Sequence, residues 1–166
     1  VGSLSTPVLW SALARLVRQG DLDPAEPVST YLDSVTLDTP YDAPTTAQLA
    51  THRSGFETSN RGLWIEDSDR LGSLTDLLQS AQPATVRPPG EAAAYSNYGA
   101  ALAGGVLASV TGESFDDAIA DLILDPAGMT GSSFSQPPPE PVATNHATGY
   151  APGLVFTDGQ FPYVGL

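Results

Sequence analysis

The sequence predicts an α+β domain, of which this chain supplies mainly the helical part. Apolar residues recur with helical spacing in the first twenty residues and again after Ser114, and the run from Tyr98 to Val110 has the composition of a buried helix. Few segments show the alternation of a half-buried strand. Helices with apolar faces need a second layer to cover them. Most of the sheet is therefore expected outside residues 1–166, from missing segments or a second chain.

Composition limits the range of functions. The 166 residues are enough for one domain, with 19 acidic residues, six arginines, no lysine and a formal net charge of -13. This charge disfavours nucleic acid and anionic membranes as partners, and the composition indicates a halophilic or GC-rich source. The chain has no cysteine, so disulfides and thiolate nucleophiles are excluded. No apolar run approaches the roughly 20 residues of a membrane span. No cofactor is implied.

The first element is predicted to be an amphipathic helix that ends at Gly20. Its apolar face is expected to carry Leu9, Leu13, Leu16 and Val17. Near its start, Ser3 and Thr6 are three residues apart and so would face the same way. A serine in this place is usually a helix cap.

Three later helices have recognisable N-terminal signals. Thr45 with Gln48 forms a capping box, and Ser73 with Asp76 and Ser114 with Asp117 are further caps. The helix after Ser114 should bury an apolar face and end at Pro126. The residues of that face are Phe115, Ile119, Leu122 and Ile123.

The sequence gives separate predictions for two loops in the first half of the chain. His52 lies in a tight turn, where a histidine bonded to nearby backbone is the simplest interpretation. The polar stretch from Phe56 to Arg70 is predicted to be a surface loop.

The stretch from Arg87 to Gly112 is the most informative. A Pro-Pro-Gly turn leads to Tyr95-Ser96-Asn97, which stands directly before the predicted buried helix. Loops at helix starts often present reactive side chains, although Ser96 or Asn97 could simply cap the helix while Tyr95 packs. Within the helix, the pair Gly104-Gly105 would let another backbone approach closely.

Several chemistries have no support in the sequence. The nucleophile-elbow motif Gly-x-Ser-x-Gly, a phosphate-binding loop and His-Glu-x-x-His do not occur. The two histidines, His52 and His146, are too isolated to indicate a metal site.

Several blocks in register resemble the superfamily of serine β-lactamases, penicillin-binding proteins and related esterases, with class C-like serine hydrolases as the nearest branch. Order and spacing agree from Ser3 to about Phe134, roughly four fifths of the chain. Residues 135–166 form a Pro-rich irregular segment that would lead toward missing strands of an antiparallel sheet. The blocks are Gly2-Ser3-x-x-Thr6, Gly20-Asp21-Leu22-Asp23, Leu49-Ala50-Thr51-His52-Arg53-Ser54-Gly55, Pro89-Gly90 with Tyr95-Ser96-Asn97, and Pro126-Ala127-Gly128-Met129.

The resemblance implies roles for three residues. Ser3 would be the acylated nucleophile, and its backbone N–H would form half of an oxyanion hole. Tyr95 aligns with the tyrosine that shuttles protons, and Asn97 with the asparagine that binds the substrate amide. No role is assigned to Ser96.

Two departures from the family pattern bear on activity. Thr6 stands where the family motif Ser-x-x-Lys has its lysine, and the chain has no other lysine. A cation about 4 Å away contributes roughly 1 to 4 kcal/mol in a partly wet site, so its loss would slow acylation by one to three powers of ten. The third family motif, Lys or His followed by any residue and Gly, is not found, because His146-Ala147-Thr148-Gly149 has the wrong spacing.

The resemblance thus implies an α+β fold of the β-lactamase and transpeptidase kind, with this chain covering mainly its helical part. It also implies a serine hydrolase that acts through an acyl-enzyme on a β-lactam, a D-Ala peptide or a carboxylic ester. It also favours an extracytoplasmic location. The alternative is a catalytically inactive homologue with a binding or scaffolding role, in which Thr6 marks lost chemistry. Thr6 would also fit an engineered change that stalls turnover.

Overall fold

The computed structural model describes residues 2–59, 64–65, 69, 71–140, 142–145, 147 and 163–164. Within them lie five α-helices: α1 Thr6–Gln19, α2 Thr46–Ala50, α3 Leu74–Ser80, α4 Asn97–Thr111 and α5 Phe115–Ile119. Short 3₁₀ turns occupy Gly2–Ser5, Val28–Thr30 and Ala143–Asn145, and a π-helical turn, Ala120–Leu124, continues α5. Two antiparallel strands, β1 Trp64–Ile65 and β2 Tyr163–Val164, pair Trp64 with Val164 and Ile65 with Tyr163.

Helix α4 lies at the centre of these elements and contacts α1, α2, α3 and α5. It is apolar nearly all round, which is the pattern of a helix enclosed by protein. Its fully enclosed apolar side chains are Tyr98, Leu102, Ala103, Val106 and Leu107. The prediction of a buried helix from Tyr98 to Val110 is confirmed, with one more residue at each end.

The glycine pair in α4 admits side chains rather than another backbone, which corrects the sequence prediction. A Cβ on Gly105 would stand 2.7 Å from Cδ1 of Leu78 in α3. One on Gly104 would stand 3.3 Å from the ring of Phe115 in α5. The missing Cβ atoms therefore let α3 and α5 pack closely against the central helix.

Helix α1 differs from its prediction at two points. The α-helix begins at Thr6, because Gly2–Ser5 form a 3₁₀ turn. Its buried face consists of Leu9, Ala12, Leu13 and Leu16, whereas Val17 is 36% exposed. Gly20 ends the helix as predicted, since its φ of 87° is accessible to glycine at little cost.

The helix caps confirm the local predictions. Thr45 and Gln48 form the full capping box of α2. Ser73 Oγ accepts from the backbone N–H of Asp76 at 3.1 Å, and Ser114 does the same for Asp117 at 3.2 Å. Each cap satisfies a backbone donor that has no partner inside its helix.

Two further sequence predictions need correction. Phe56, placed in a surface loop, is only 2% exposed, pairs with Thr85 in an isolated bridge and contacts Tyr98 edge to face. The helix that begins at Phe115 becomes π-helical at Ala120. Ile119 and Leu124 are buried, and Phe115, Leu122 and Ile123 are half-buried and pack against the core, so Leu124 joins the predicted apolar face.

The described helices cover α4 themselves, so its apolar face gives no argument for an outside sheet. Large apolar side chains do remain exposed elsewhere, most of all Leu4 at 77%. A sheet outside the chain stays a prediction. Across the described residues, no helix combines the length and apolar character needed to cross a bilayer. His146 and most of the Pro-rich C-terminal segment lie outside the described residues.

Candidate active site

Two side chains that stand far apart in sequence meet at the start of the first helix. Ser3 Oγ lies 2.9 Å from Tyr95 Oη, a hydrogen bond across 92 positions. Ser3 belongs to the 3₁₀ turn before α1, and Tyr95 stands just before α4. Both residues are exposed, and Tyr95 keeps 45% of its surface in solvent. The hydroxyl pair is therefore open to a ligand.

Ser3 is not the cap of α1. The N-cap position falls on Ser5, and no side chain caps the helix there. The Ser3 hydroxyl instead forms the bond with Tyr95. The simple capping interpretation of Ser3 is wrong.

Thr6 is directed at the backbone. Its Oγ1 donates to the carbonyl oxygen of Ser3 at 2.7 Å, within the same turn. A threonine hydroxyl carries no charge, and here its proton is already committed. Thr6 thus provides no cation beside Tyr95, and its proton is directed at the Ser3 carbonyl rather than at the Ser3 hydroxyl.

The two residues after Tyr95 have different environments. Ser96 is buried, and its Oγ accepts from the backbone N–H of Gly99 at 3.1 Å, so it is the N-cap of α4. Asn97, the first residue of α4, is half-buried. Among the described hydrogen bonds, none joins Asn97 to Ser3 or Tyr95. The structure joins Ser3 to Tyr95 and Thr6 to the Ser3 carbonyl, but no described hydrogen bond links Asn97 to any of the three.

Tyr95 is held by residues that sequence reasoning did not connect to it. The ring of His52 lies against the Tyr95 ring, with centroids 4.5 Å apart and planes inclined at 36°. Thr58 Oγ1 donates to the carbonyl oxygen of Tyr95. Neither contact could be found from local pattern, since each partner lies in a different loop.

A second tyrosine on the same segment has the opposite environment. Tyr98 is buried, and its Oη donates to the carbonyl of Leu78 at 2.9 Å. Burial raises the pKa of Tyr98 well above its ordinary value. Tyr98 is therefore a neutral core residue, and Tyr95 is the exposed one of the two tyrosines.

A shallow cavity of about 680 Å³ lies elsewhere, between the loop 39–43, α2 and the turn at Pro88-Pro89. Neither Ser3 nor Tyr95 lines it. The hydroxyl pair accordingly sits on an open surface of the described chain rather than in this cavity.

Comparison with solved structures defines the class of protein. The chain superposes with a TM-score of 0.70, at 20% identity, on a β-lactamase/D-alanine carboxypeptidase from Yersinia pestis, covering 87% of this chain and 42% of that one. It also superposes with a TM-score of 0.63, at 28% identity, on a penicillin-binding protein from Bacillus halodurans, covering 78% and 41% of the two chains. The fold is that of β-lactamases and penicillin-binding proteins.

Sequence comparison defines the family. The family model described as Beta-lactamase matches residues 1–164, and the chain belongs to this family. A β-lactamase from Escherichia coli (strain K12) is 28% identical over 156 residues, which are 92% of this chain and 38% of that relative. The chain thus spans less than half the length of the curated relative it matches. The resemblance inferred from the sequence blocks is confirmed.

Proposed function

We propose that the protein carrying this chain is a serine hydrolase that forms a covalent acyl-enzyme at Ser3. The observation that carries the proposal is the 2.9 Å contact between Ser3 Oγ and Tyr95 Oη. A nucleophile and its base must stand within hydrogen-bonding reach of each other, and nothing local requires residues 92 positions apart to meet.

The proposed reaction needs only these groups and water. With Tyr95 present as its phenolate, Ser3 Oγ attacks the carbonyl carbon of an ester or amide, and the serine proton moves to the phenolate Oη of Tyr95. Tyr95 then returns the proton to the leaving group, and water hydrolyses the acyl-enzyme by the same route in reverse. The Ser3 backbone N–H, at the positive end of the first helix, would stabilise the oxyanion.

For substrates, we propose a β-lactam, a D-Ala peptide or a carboxylic ester. The first two follow the names of the similar proteins, and Asn97 would bind the substrate amide. Asn97 stands two residues after Tyr95, at the first position of α4.

A binding protein without turnover is the second candidate, and Thr6 favours it. The hydroxyl of Thr6 is bonded to the Ser3 carbonyl and leaves Tyr95 without a cation from the family's lysine position. A cation beside a phenol favours its phenolate, which is the form that can accept a proton. Recognition of an acyl ligand would need Ser3 and Tyr95 only as hydrogen-bonding groups.

The two candidates are separated by labelling the full protein with a fluorescent penicillin and a fluorophosphonate. We expect slow labelling with Thr6 and a rate at least tenfold higher in Thr6→Lys, because the ammonium favours the Tyr95 phenolate. Thr6→Gln is the matched control, because glutamine is similar in length to lysine but uncharged. This variant should not show the increase in labelling rate.

Two serine variants identify the labelled residue. In the Thr6→Lys background, Ser3→Ala should abolish labelling, whereas Ser5→Ala should retain it, since Ser5 makes no capping bond. Absence of labelling in Thr6→Lys would favour the binding protein. Fast labelling with Thr6 in place would show that another group accepts the proton.

The role of Tyr95 is tested by Tyr95→Phe, which keeps the ring and removes Oη. We expect labelling to fall about a hundredfold, the lower end of the usual contribution of a general base. Tyr41→Phe, another partly exposed tyrosine, is the control. A labelling rate that is equal in Tyr95→Phe and the parent would remove Tyr95 from the mechanism.

A further inference from the structure

His52 contacts three consecutive residues of the segment that carries Tyr95. Its carbonyl oxygen accepts from the backbone N–H of Ala94 at 2.7 Å. Its Nδ1 accepts a longer bond, 3.5 Å, from the backbone N–H of Ser96. Between these two bonds, its ring packs on that of Tyr95 at a centroid distance of 4.5 Å. A histidine that merely completed a turn would need none of these contacts.

The backbone of His52 is fixed by its own element. His52 has a φ of 53°, in the left-handed region that few residues other than glycine occupy. Its N–H donates to Leu49 at 3.0 Å, and the next N–H, of Arg53, donates to Gln48 at 2.7 Å. An unfavourable backbone conformation persists where surrounding bonds determine it, as the end of α2 does here. The backbone that carries the imidazole therefore has a fixed position.

Two described contacts act on the side chain of Tyr95: the bond of its Oη with Ser3 and the packing of its ring on His52. Tyr95 precedes the N-cap of α4 and is 45% exposed. A half-exposed tyrosine can turn about χ1 and would then carry its Oη several ångströms away from Ser3. His52 gives the ring contact that opposes this rotation.

We propose that His52 is a positioning residue, whose imidazole holds the Tyr95 ring in the orientation that brings Oη within reach of Ser3 Oγ. This inference rests on the proposed role of Tyr95 as the proton acceptor. The described contacts of the His52 imidazole are with the Tyr95 ring and the Ser96 N–H, and none of them is with Ser3.

Two substitutions separate positioning from a structural role. His52→Asn suits the left-handed backbone but removes the ring. His52→Phe keeps a ring at the same place but fits that backbone less well and leaves the Ser96 N–H without its acceptor. If His52 positions Tyr95, the His52→Phe variant should be labelled faster than the His52→Asn variant, although His52→Asn is the more stable of the two. A purely structural role predicts that labelling follows stability.

The first readout is independent of turnover. Tyrosine labelled with ¹³C at Cζ is incorporated into the full protein, and Tyr95→Phe assigns the Tyr95 signal. Ser3→Ala gives the signal of a Tyr95 without its partner. We expect His52→Asn to move the Tyr95 signal toward that of Ser3→Ala, and His52→Phe to leave it near its original position. An unmoved signal in His52→Asn would overturn the inference.

The second readout is the labelling rate in the Thr6→Lys background, measured beside thermal melts. His52→Asn should label about three- to tenfold more slowly, as expected for the loss of one aromatic contact, and His52→Phe within about twofold of the parent. Rates that rank with melting temperature would overturn the inference. A displaced Tyr95 signal without labelling in any variant would support positioning and contradict the proposed function alone.

Discussion

Among the glycines that the structure describes, Gly55 is the one where an added methyl group would make the closest contact. Gly55 has a φ of 83°, and a Cβ built on it would stand 2.2 Å from the carbonyl oxygen of Arg87. The carbonyl belongs to backbone, and Val86 beside it donates to the Gly55 carbonyl at 3.0 Å. Gly55→Ala must therefore push apart two strand-like segments that hydrogen bonds hold together.

The magnitude can be worked out from two contributions. A left-handed backbone costs an alanine about 1 to 2 kcal/mol relative to glycine. Overpacking against a fixed neighbour typically costs a further 1 to 3 kcal/mol, so we expect Gly55→Ala to lower the free energy of unfolding by about 2 to 5 kcal/mol. Gly20 is the matched control, because its φ is 87° and a Cβ added there would meet no atom within 4 Å.

The assay is urea denaturation of the full protein with each variant. Gly20→Ala isolates the backbone cost, so the difference between the two variants measures the clash with Arg87. We expect that difference to be about 1 to 3 kcal/mol. Equal losses of stability in Gly20→Ala and Gly55→Ala would refute the close approach of Gly55 to Arg87.

Three other predictions concern the core and the charge. Tyr98→Phe should lower the free energy of unfolding by about 1 to 3 kcal/mol in urea denaturation, because the buried Leu78 carbonyl loses its donor. Burial raises the pKa of Tyr98, so the contribution of Tyr98 to stability is complete below pH of about 10 and declines as the pH rises further. Tyr98→Phe should flatten this decline of the unfolding free energy with pH, and an unchanged slope would contradict the prediction. With a net charge of -13, the melting temperature should rise from about 0.1 M to 1 M salt, where the Debye length falls from about 10 Å to 3 Å, and a flat or falling curve would remove the halophile hypothesis.

The sequence predicted features that depend on residues three or four positions apart. The caps at Thr45, Ser73 and Ser114 follow from side chains that bond to backbone one turn away. The end of α1 at Gly20 has the same local origin. Such bonds form wherever the local chain is helical, so tertiary structure need not be known.

Features that depend on tertiary packing were predicted less well. Val17 fits the helical spacing of the apolar face, but the neighbours of α1 leave it partly exposed. Phe56 stands among polar residues, yet its ring packs against Tyr98. In both cases the partner lies far away in sequence, so no local pattern indicates it.

The contacts in the candidate site also depend on residues that lie far apart in sequence. The meeting of Ser3 and Tyr95 was expected only from family resemblance, because their separation of 92 positions leaves no local signal. The contact of His52 with Tyr95 was missed, since a histidine in a tight turn has a sufficient local explanation.

The central claim, that Ser3 is a nucleophile served by Tyr95, is tested most directly by peptide mapping of the labelled protein. The full protein with Thr6→Lys is treated with the fluorescent penicillin, digested and examined by mass spectrometry. We predict that the added mass lies on Ser3 and that Tyr95→Phe strongly reduces its yield. An adduct on any other residue, or no adduct on a folded Thr6→Lys protein, would contradict the claim.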